Sequence, residues 1–330
     1  MAAHQTHTAA LRPSDGRNRQ RGDTYGRGYQ RRGYRAAERD GETWIYSDKE
    51  KIKIMTDELT KKVERAVKLI QQTGHDAIPE VAYSGGKDSD VILELARMSG
   101  IEFRAIYRNT TIDPPGTIKH VKERGVEIVR PKKSFLEILE NKGIPSRYMR
   151  FCCSELKEYK IMPRVIMGIR REESPKRAEN YSEPTECRLY KHSGECVDAI
   201  YPILDWTLKD VTEFLENRNV RCAPVYYDEH GVFHPERRLG CMCCPLGSRK
   251  HRIEEFRRYP NMVKLYCRGG GKWLDAHPDA KKKPVQSDIY RFFVRTLFFD
   301  TNEDFMSAVE DMFGGVDCKK FLMDYFGIDL

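Results

Sequence analysis

The chain lacks a long run of apolar residues. None of its stretches reaches the roughly 18 consecutive apolar side chains that a membrane-spanning helix needs, and no secretory leader pattern opens it. We therefore expect a cytoplasmic protein that has no membrane partner. Its ten cysteines then indicate metal or redox chemistry more than structural disulfides, because cytoplasmic thiols stay reduced.

Lysine is absent from the first forty residues, and apolar side chains are scarce there. The segment carries nine arginines and four acidic residues, which gives it a net charge of +5 out of the chain's +8. Arg-Gly pairs and tyrosines recur in it, and it cannot build a core. We predict a disordered Arg/Gly-rich tail over residues 1–42. Such a tail could contact nucleic acid through phosphates and base stacking, or serve only as a solubilising leader.

The spacing of a Walker phosphate loop is also missing, since Gly271-Lys272 is followed by tryptophan. A different glycine-rich loop is present, with Ser84, Gly85, Gly86, Lys87, Asp88 and Ser89 in succession. An apolar run precedes this hexapeptide and a helical pattern follows it. The glycines let successive backbone N–H groups point at one spot, and the helix N-terminus and the lysine add positive charge. The segment is therefore typical of a loop that binds phosphate or pyrophosphate.

Segments with strand and helix patterns alternate after this loop. The candidate strands are 101–107, 126–129 and 160–167, and the candidate helices between them are 116–124 and 134–141. The alternation predicts an α/β fold, a parallel sheet with helices on both faces. Ligands of such sheets bind beyond the carboxyl ends of the strands, where residues 84–89 and 109–113 both lie.

The flanking regions complete the predicted domain organisation. Apolar spacing predicts a helix over 49–72, whereas 175–198 is polar and irregular. Residues 43–250 would form one domain that includes a loop-rich cysteine region, and 251–330 a helical extension. The helices expected in this extension are 286–299, 303–313 and 317–326.

Four cysteines form the second strong signal, as an adjacent pair and a CxxC pair: Cys152, Cys153, Cys241 and Cys244. The CxxC spacing suits two thiolates on one metal ion or cluster iron, and the adjacent pair could complete a four-thiolate site. Adjacent cysteines are awkward ligands because neighbouring side chains diverge, and Cys243 is a spare. An iron–sulfur cluster, a zinc site and redox-active thiols all stay open, and the residues alone favour zinc. The other five cysteines lack ligand spacing and are expected to be ordinary core or surface residues: Cys187, Cys196, Cys222, Cys267 and Cys318.

Two arginines follow the candidate strand at 160–167. Arg170 and Arg171 carry planar guanidinium groups that match phosphate or sulfate oxygens. Surface ion pairing with Glu172 and Glu173 is the stronger interpretation from the residues alone.

Taken together, these motifs resemble the phosphoadenosine phosphosulfate (PAPS) reductase family of the PP-loop ATP pyrophosphatase superfamily, near its DndC-like branch. The segments that carry the resemblance occur in the expected order: 82–89, 109–115, 150–157, 168–174, 201–206 and 240–245. The resemblance implies the adenine nucleotide α-hydrolase-like version of the α/β fold.

The resemblance also implies roles for individual residues. It places the phosphates of ATP or of an adenylyl-sulfate nucleotide on residues 84–89, with Mg²⁺ near Asp88 and further nucleotide contacts from Asn109, Thr110 and Asp113. The expected catalytic residues are Lys87, Asp88, Arg170 and Arg171. A [4Fe–4S] cluster is implied, with zinc as the alternative, on Cys152, Cys153, Cys241 and Cys244.

The activity that the resemblance implies is an ATP pyrophosphatase that adenylates an acceptor and supports sulfur transfer or redox chemistry. Nucleic acid is a candidate acceptor, and a sulfur-donor or cluster-delivery protein is a candidate partner. Two alternatives stay open. The first is an adenylyl-sulfate or phosphoadenylyl-sulfate reductase with Cys318 as nucleophile, although the Glu-Cys-Gly ending of the assimilatory enzymes is missing. The second is a nucleotide- or nucleic-acid-binding subunit without turnover.

Deletion of residues 1–40 tests the predicted role of the tail. If its arginines contact phosphates, the truncated protein should bind DNA or RNA more weakly and with a flatter dependence on salt, because fewer counterions are released. Fluorescence anisotropy of a labelled oligonucleotide across a salt series measures both properties. Binding that is independent of salt and unchanged by the deletion would contradict this role.

Overall fold

A computed structural model describes residues 35–39, 42–46, 51–53, 55–73, 77–190, 195–310 and 316–330. The chain divides into one unit up to Ile52 and a second from Lys53 onward. The three strands of the first unit form one sheet, with β1 and β2 antiparallel: β1 (Arg35–Arg39), β2 (Glu42–Tyr46) and β3 (Lys51–Lys53). Most of the predicted tail lies outside the described residues. Of residues 1–42, the structure describes β1 and the first residue of β2, and the predicted disorder of the tail stays a prediction.

The second unit contains a six-stranded sheet and the helices. Its strands are β4 (Glu80–Ala82), β5 (Arg104–Arg108), β6 (Glu127–Val129), β7 (Arg164–Ile166), β8 (Thr185–Tyr190) and β9 (Glu195–Ile200). Its described helices are α1 (Asp57–Thr73), α2 (Lys87–Ser99), α3 (Thr117–Glu123), α4 (Phe135–Lys142), α5 (Phe151–Leu156), α6 (Pro175–Asn180), α7 (Leu208–Asn217), α8 (Arg249–Arg258), α9 (Asn261–Ala276), α10 (Pro278–Lys281), α11 (Ile289–Phe298), α12 (Asn302–Glu310) and α13 (Cys318–Phe326). Short 3-10 helices cover Arg171–Glu173, Pro224–Tyr226 and Pro284–Gln286.

The six-stranded sheet has the order β6-β5-β4-β7-β9-β8. Its neighbouring pairs are parallel except for β8 and β9. The chain adds β5 and β6 on one side of β4 and then continues with β7 on the other side. In open α/β sheets, such a reversal opens a ligand crevice at the carboxyl ends of the strands. The predicted α/β fold with a mainly parallel sheet and flanking helices is confirmed.

Two expectations about the regions around this sheet are wrong. The segment 175–198 contains α6 and the β8–β9 hairpin, in which Arg188 pairs with Val197. Because β8 is an edge strand with largely exposed side chains, its composition resembles that of a loop. The helix predicted over 49–72 is shorter, since α1 begins after Thr56, whose hydroxyl accepts the Leu59 N–H at 3.3 Å.

The sheet separates two packing layers. Alternate strand residues point to opposite faces, so Ile166 and Ile200 pack against α1, α2 and α7, while Val165 and Ala199 pack on the other side. A further core joins α4 and α5 to the C-terminal helices α8, α9, α11, α12 and α13. In the described part of the chain, no helix combines the length and the apolar character needed to cross a membrane.

Helices α4 and α9 approach each other closely at a glycine. A Cβ at Gly269 would lie 2.5 Å from the Leu139 Cβ, whereas a Cβ at Gly271 would meet only Ile289, at 3.9 Å. The Gly-rich run before Lys272 is therefore a helix contact and not a phosphate loop, as its spacing indicates.

Gly269→Ala should lower the free energy of unfolding by roughly 1–3 kcal/mol, because the added methyl group overpacks this contact. Gly271→Ala in the same helix is the matched control. It should be neutral or stabilise the protein by up to about 1 kcal/mol, since alanine is the better helix former. Urea unfolding followed by circular dichroism measures both variants, and equal stabilities would contradict the packing account.

Candidate functional site

The loop between β4 and α2 lies at the carboxyl end of a central strand. Gly85 has a φ of 78°, which supplies the sharp turn, and α2 begins at Lys87. The serine hydroxyls bond to the loop itself. Ser84 Oγ accepts the Gly86 N–H at 3.3 Å, and Ser89 Oγ donates to the Gly86 carbonyl at 2.7 Å. The predicted hexapeptide therefore forms one ordered turn at the N-terminus of α2.

A cleft of about 310 Å³, here called the loop cleft, lies beside this turn near the carboxyl ends of β4 and β7. Lys87 and Asp88 line it, with the lysine Nζ 3.2 Å from Asp88 Oδ2. Lys87 is only 5% exposed, and its backbone N–H donates to the Tyr226 hydroxyl at 3.2 Å. The cleft thus combines a buried cation with a helix N-terminus, and both favour anionic oxygens. Other lining residues include Ser84, Gly86, Ser89, Gly168, Glu173, Arg177, Arg238 and Leu239.

Arg170 supports this cleft through Asp88. Its Nε donates to Asp88 Oδ1 at 2.6 Å and its Nη1 to Glu172 Oε2 at 2.7 Å. Burial acts to lower the pKa of Arg170, but the Asp88 carboxylate raises it above its usual value, so the guanidinium stays charged. Gly168 permits this arrangement, since a Cβ there would lie 2.8 Å from the Asp88 carbonyl oxygen. Arg170 thus holds Asp88 and is not among the described lining residues.

Arg171 has a different environment. Its Nε donates to the Tyr181 carbonyl at 2.8 Å, and its terminal nitrogens bond to Asp205 and to the Ser182 carbonyl. The structure therefore brings Arg170, but not Arg171, to the loop.

Two further arginines line the loop cleft, although the sequence pattern did not mark them as nucleotide contacts. Arg177 forms an ion pair with Glu173, and Arg238 Nη2 donates to the Glu173 carbonyl at 3.1 Å. Arg177 could not be recognised as a cleft residue from the sequence, because it lies in the segment 175–198, whose polar composition is typical of irregular structure. Tyr226 gave no local signal either, since only the fold brings it to Lys87.

A second cleft of about 160 Å³ lies on the β5 side of β4 and shares Ala82, Ser84 and Leu239 with the loop cleft. Thr110 and Asp113 line this second cleft, and the Thr110 hydroxyl donates to Asp113 Oδ1 at 2.7 Å. Two of the three residues predicted to lie near the nucleotide therefore face a cleft that adjoins the loop.

Asn109, the third of these residues, is not among the described lining residues of the second cleft, but its side chain bonds within the same segment. Its Oδ1 accepts the Thr111 N–H at 2.7 Å, and Thr111 has a left-handed φ of 64°. The segment after β5 is thus a tight turn that its own polar side chains hold in place.

The four predicted cysteine ligands influence one another electrostatically. The pKa of Cys152 is raised by its hydrogen bond to Cys153, by burial, and by negative charge on the other three sulfurs. The same hydrogen bond lowers the pKa of Cys153 to about 6. Burial raises the pKa of Cys244, and negative charge on Cys241 and Cys153 raises it further. The structure therefore brings the adjacent pair and the CxxC pair into one neighbourhood.

A lysine and a backbone contact connect these thiols to the second cleft. Met242 N–H donates to the Ile112 carbonyl at 2.8 Å, which ties the CxxC loop to the turn after β5. Lys157 lines the second cleft, near enough to Cys241 for the charges of the two groups to interact. Burial acts to lower the pKa of Lys157, but Cys241 and Asp113 raise it above its usual value. A cation beside the thiols favours the thiolate form, which is the form that binds metals.

The four cysteines are the residues that would hold the implied metal group. No three His, Cys, Asp or Glu side chains within the described ranges are placed to share a single metal ion. The chemistry of the set nevertheless fits a [4Fe–4S] cluster, because such clusters are held by four cysteine thiolates. Cys243 is 1% exposed and belongs to the C-terminal core, as does Cys152.

The remaining cysteines include one correction. Cys187 and Cys196 form a disulfide between β8 and β9, so they are not the ordinary unpaired residues that their spacing suggests. The other three are buried free thiols, as expected: Cys222, Cys267 and Cys318. Burial raises the pKa of Cys318 to about 11, which disfavours its thiolate.

The region of the chain that matches a known protein family contains the loop and the four cysteines. The family model described as phosphoadenosine phosphosulfate reductase domain matches residues 78–247, just over half of the chain. An uncharacterized protein of Methanocaldococcus jannaschii is 30% identical over 231 residues, which cover 61% of this chain and 53% of that protein. An uncharacterized 37.8 kDa protein of Escherichia phage 186 is 27% identical over 158 residues, which cover 42% and 43% respectively. The chain thus spans about half the length of the curated relatives it matches.

Two solved structures are similar at a lower level. A phosphoadenylyl-sulfate reductase from Candida auris, in a phosphate complex, is 14% identical with a TM-score of 0.39, over 57% of this chain and 96% of that chain. FMN adenylyltransferase from Candida glabrata, with FMN and an ATP analogue, is 15% identical with a TM-score of 0.34, over 52% and 62%. Similarity at this level carries no argument about substrates. On the family match, the chain belongs to the phosphoadenosine phosphosulfate reductase domain family.

Proposed function

We propose that this chain is a PP-loop enzyme that binds ATP, transfers the adenylyl group to an acceptor, and couples this step to sulfur or redox chemistry at its cysteines. The observation that carries the proposal is the turn at residues 84–89. It puts the buried Lys87 and a helix N-terminus at the end of a central strand, beside a cleft that adjoins a second cleft lined by Lys157 and Gly240. Membership of a nucleotide-dependent family supports the same assignment.

The loop would act on the phosphates of ATP. The N–H groups at the start of α2 and the Lys87 ammonium would bind the pyrophosphate part of the nucleotide. As an acceptor oxygen attacks the α-phosphorus, the bond to the β-phosphate breaks and pyrophosphate leaves with the electron pair. Lys87 would stabilise the negative charge that develops on this leaving group. Arg177 and Arg238 supply further cations in the same cleft.

Asp88 is the residue that fits Mg²⁺ in this cleft. Its two oxygens bond to Lys87 and Arg170, which hold the carboxylate in a fixed orientation. Mg²⁺ commonly binds through one or two carboxylates together with substrate phosphates, and it would neutralise phosphate charge there.

We further propose that Cys152, Cys153, Cys241 and Cys244 hold a [4Fe–4S] cluster, with zinc as the alternative. When bound, such a cluster would supply one-electron redox chemistry. Lys157 connects this set to the second cleft, so an acceptor in that cleft would lie close to both the loop and the thiols. Nucleic acid is the proposed acceptor, and a sulfur-donor protein is the proposed partner.

The reductase alternative has less support from the structure. It needs a nucleophilic thiolate outside the cluster, and Cys318 was the candidate. Cys318 is 4% exposed within the C-terminal core, and burial raises its pKa to about 11. Both properties disfavour attack on a bound nucleotide.

Lys87→Ala should reduce pyrophosphate release from ATP by about 10²–10³-fold, the cost of removing one group that stabilises transition-state charge. Lys119→Ala is the matched control, because Lys119 is 82% exposed on α3 and has only a 3.9 Å contact with Glu123. Pyrophosphate release from ATP is measured in the presence of DNA and then of RNA as the candidate acceptor. Full turnover by a folded Lys87→Ala protein would show that the proposed role is wrong.

Protein purified without oxygen should contain about four irons and four sulfides per chain, with broad absorbance near ~400 nm. Cys241→Ala should lose most of this iron. Cys267→Ala removes a buried cysteine outside the set and should retain it. Zinc without iron would replace the cluster by a structural zinc site. Neither metal under strict anaerobic handling would contradict metal binding and leave redox thiols.

A further inference from the structure

A cleft of about 540 Å³ lies outside the site described above. Its walls come from residues 144–149, from the turn at Pro284–Gln286, and from helices α11 and α12. Residues 144–149 lead directly into α5, which carries Cys152 and Cys153. The cleft is therefore close along the chain to the cysteine set, and no role in nucleotide binding accounts for it.

The lining of this cleft combines apolar surface, cations and amides. Val285 and Phe292 supply apolar surface, and Lys283 and Arg295 supply positive charge. The amides are those of Gln286 and Asn302. Its described lining contains no carboxylate, so the cleft favours anionic ligands. Arg295 also lines the cleft, and its Nη2 donates to the Asp300 carbonyl at 3.3 Å. Amide side chains can donate to and accept from the edges of nucleobases.

An exposed aromatic residue stands beside the cleft. Tyr148 is 95% exposed, and its neighbour Met149 lines the cleft and is 58% exposed. Ser146 fixes this turn, because its Oγ accepts the N–H groups of Tyr148 at 3.3 Å and Met149 at 3.1 Å. Arg147 and Arg150 flank the pair and are also exposed. The turn therefore presents a large apolar ring to solvent between two cations.

We propose that this cleft and residues 147–150, together called the Tyr148 surface, bind single-stranded nucleic acid. Exposed bases stack on aromatic rings whatever their identity, while arginines contact the phosphates between them. The apolar floor of the cleft would receive a base, and the amides at its wall would bond to the base edge. An acidic protein segment would satisfy the cations but would leave the ring and the amide-lined cleft without a matching group, so nucleic acid is the better fit.

This binding site goes beyond the proposed adenylation and does not depend on it. The tail at residues 1–42 is a separate candidate for nucleic-acid contact, and the Tyr148 surface adds a site in the folded part of the chain. A strand held on residues 147–150 would lie immediately before the first two cysteines of the set. The location matches what an enzyme acting on a nucleic-acid acceptor would require.

The test measures binding of fluorescein-labelled single-stranded DNA and RNA oligonucleotides to the full chain by anisotropy, across a salt series. Tyr148→Ala should weaken binding by roughly 5- to 150-fold at fixed salt, the loss of one stacked base. Tyr148→Phe should bind like the unaltered protein, because it keeps the ring. Arg150→Ala should reduce the slope of log affinity against log salt by about 0.7, the value for one phosphate contact of a single strand.

The controls separate this surface from the tail and from folding effects. Each variant retains the tail, so any difference in oligonucleotide affinity between variants comes from the Tyr148 surface. Lys119→Ala should leave the slope of log affinity against log salt unchanged. Urea midpoints confirm folding. A 2-aminopurine base in the oligonucleotide should be quenched by stacking on Tyr148 and not in Tyr148→Ala.

Unchanged affinity and unchanged 2-aminopurine fluorescence in Tyr148→Ala would overturn the proposal. Competition by polyglutamate as effective as that by unlabelled oligonucleotide would also overturn it, and would indicate an acidic protein partner. Loss of pyrophosphate release in Lys87→Ala with oligonucleotide binding intact is expected if the two sites are independent. Normal ATP turnover in Lys87→Ala would contradict the proposed adenylation but not the proposed nucleic-acid binding at the Tyr148 surface.

Discussion

The ion pair between Asp88 and Arg170 is the contact on which the loop cleft depends. It joins the start of α2, after β4, to the segment after β7, and its two residues are 82 positions apart in sequence although β4 and β7 are neighbours in the sheet. Arg170 is 3% exposed and also bonds to Glu172, while Asp88 also pairs with Lys87, so the two residues belong to one network of buried charges. The same pair orients Asp88 beside Lys87. The start of α2 is thus fixed by a side chain from the segment after the neighbouring strand β7.

The cysteine set depends on tertiary contacts in a comparable way. The CxxC loop is tied to the turn after β5 by a backbone hydrogen bond, and Cys152 and Cys243 belong to the core of the C-terminal helices. The family match ends at residue 247, yet the helices that follow complete this core. These helices therefore supply packing partners for the segments that carry Cys152 and Cys241.

Much of this arrangement follows from local sequence signals. The strand, the Gly-rich turn and α2 are contiguous, so pattern and composition were sufficient to place the loop and the α/β fold. The β8–β9 hairpin was missed because an exposed edge strand has no apolar face to mark it. Arg177 and Tyr226 could not be recognised as cleft residues, since only the folded chain brings them to the loop. Arg171 follows Arg170 in sequence but bonds away from the loop.

The cysteines show where residue types and spacing are informative and where they are not. The two pairs of the set were recognisable from their spacing, and the structure brings them together. The disulfide between Cys187 and Cys196 depends on the pairing of two strands, which no spacing rule contains. The metal or redox chemistry predicted from the two pairs stays a prediction, while the bonding partner of Cys187 required the fold.

The central claim is that the turn at residues 84–89 binds the pyrophosphate part of a nucleotide. Isothermal titration of ATP into the full chain, alone and in the presence of inorganic pyrophosphate or of adenosine, tests it most directly. The account predicts that pyrophosphate competes with ATP far better than adenosine does, and that Lys87→Ala removes this competition. ATP binding that is indifferent to pyrophosphate, or that is displaced by adenosine alone, would contradict the claim.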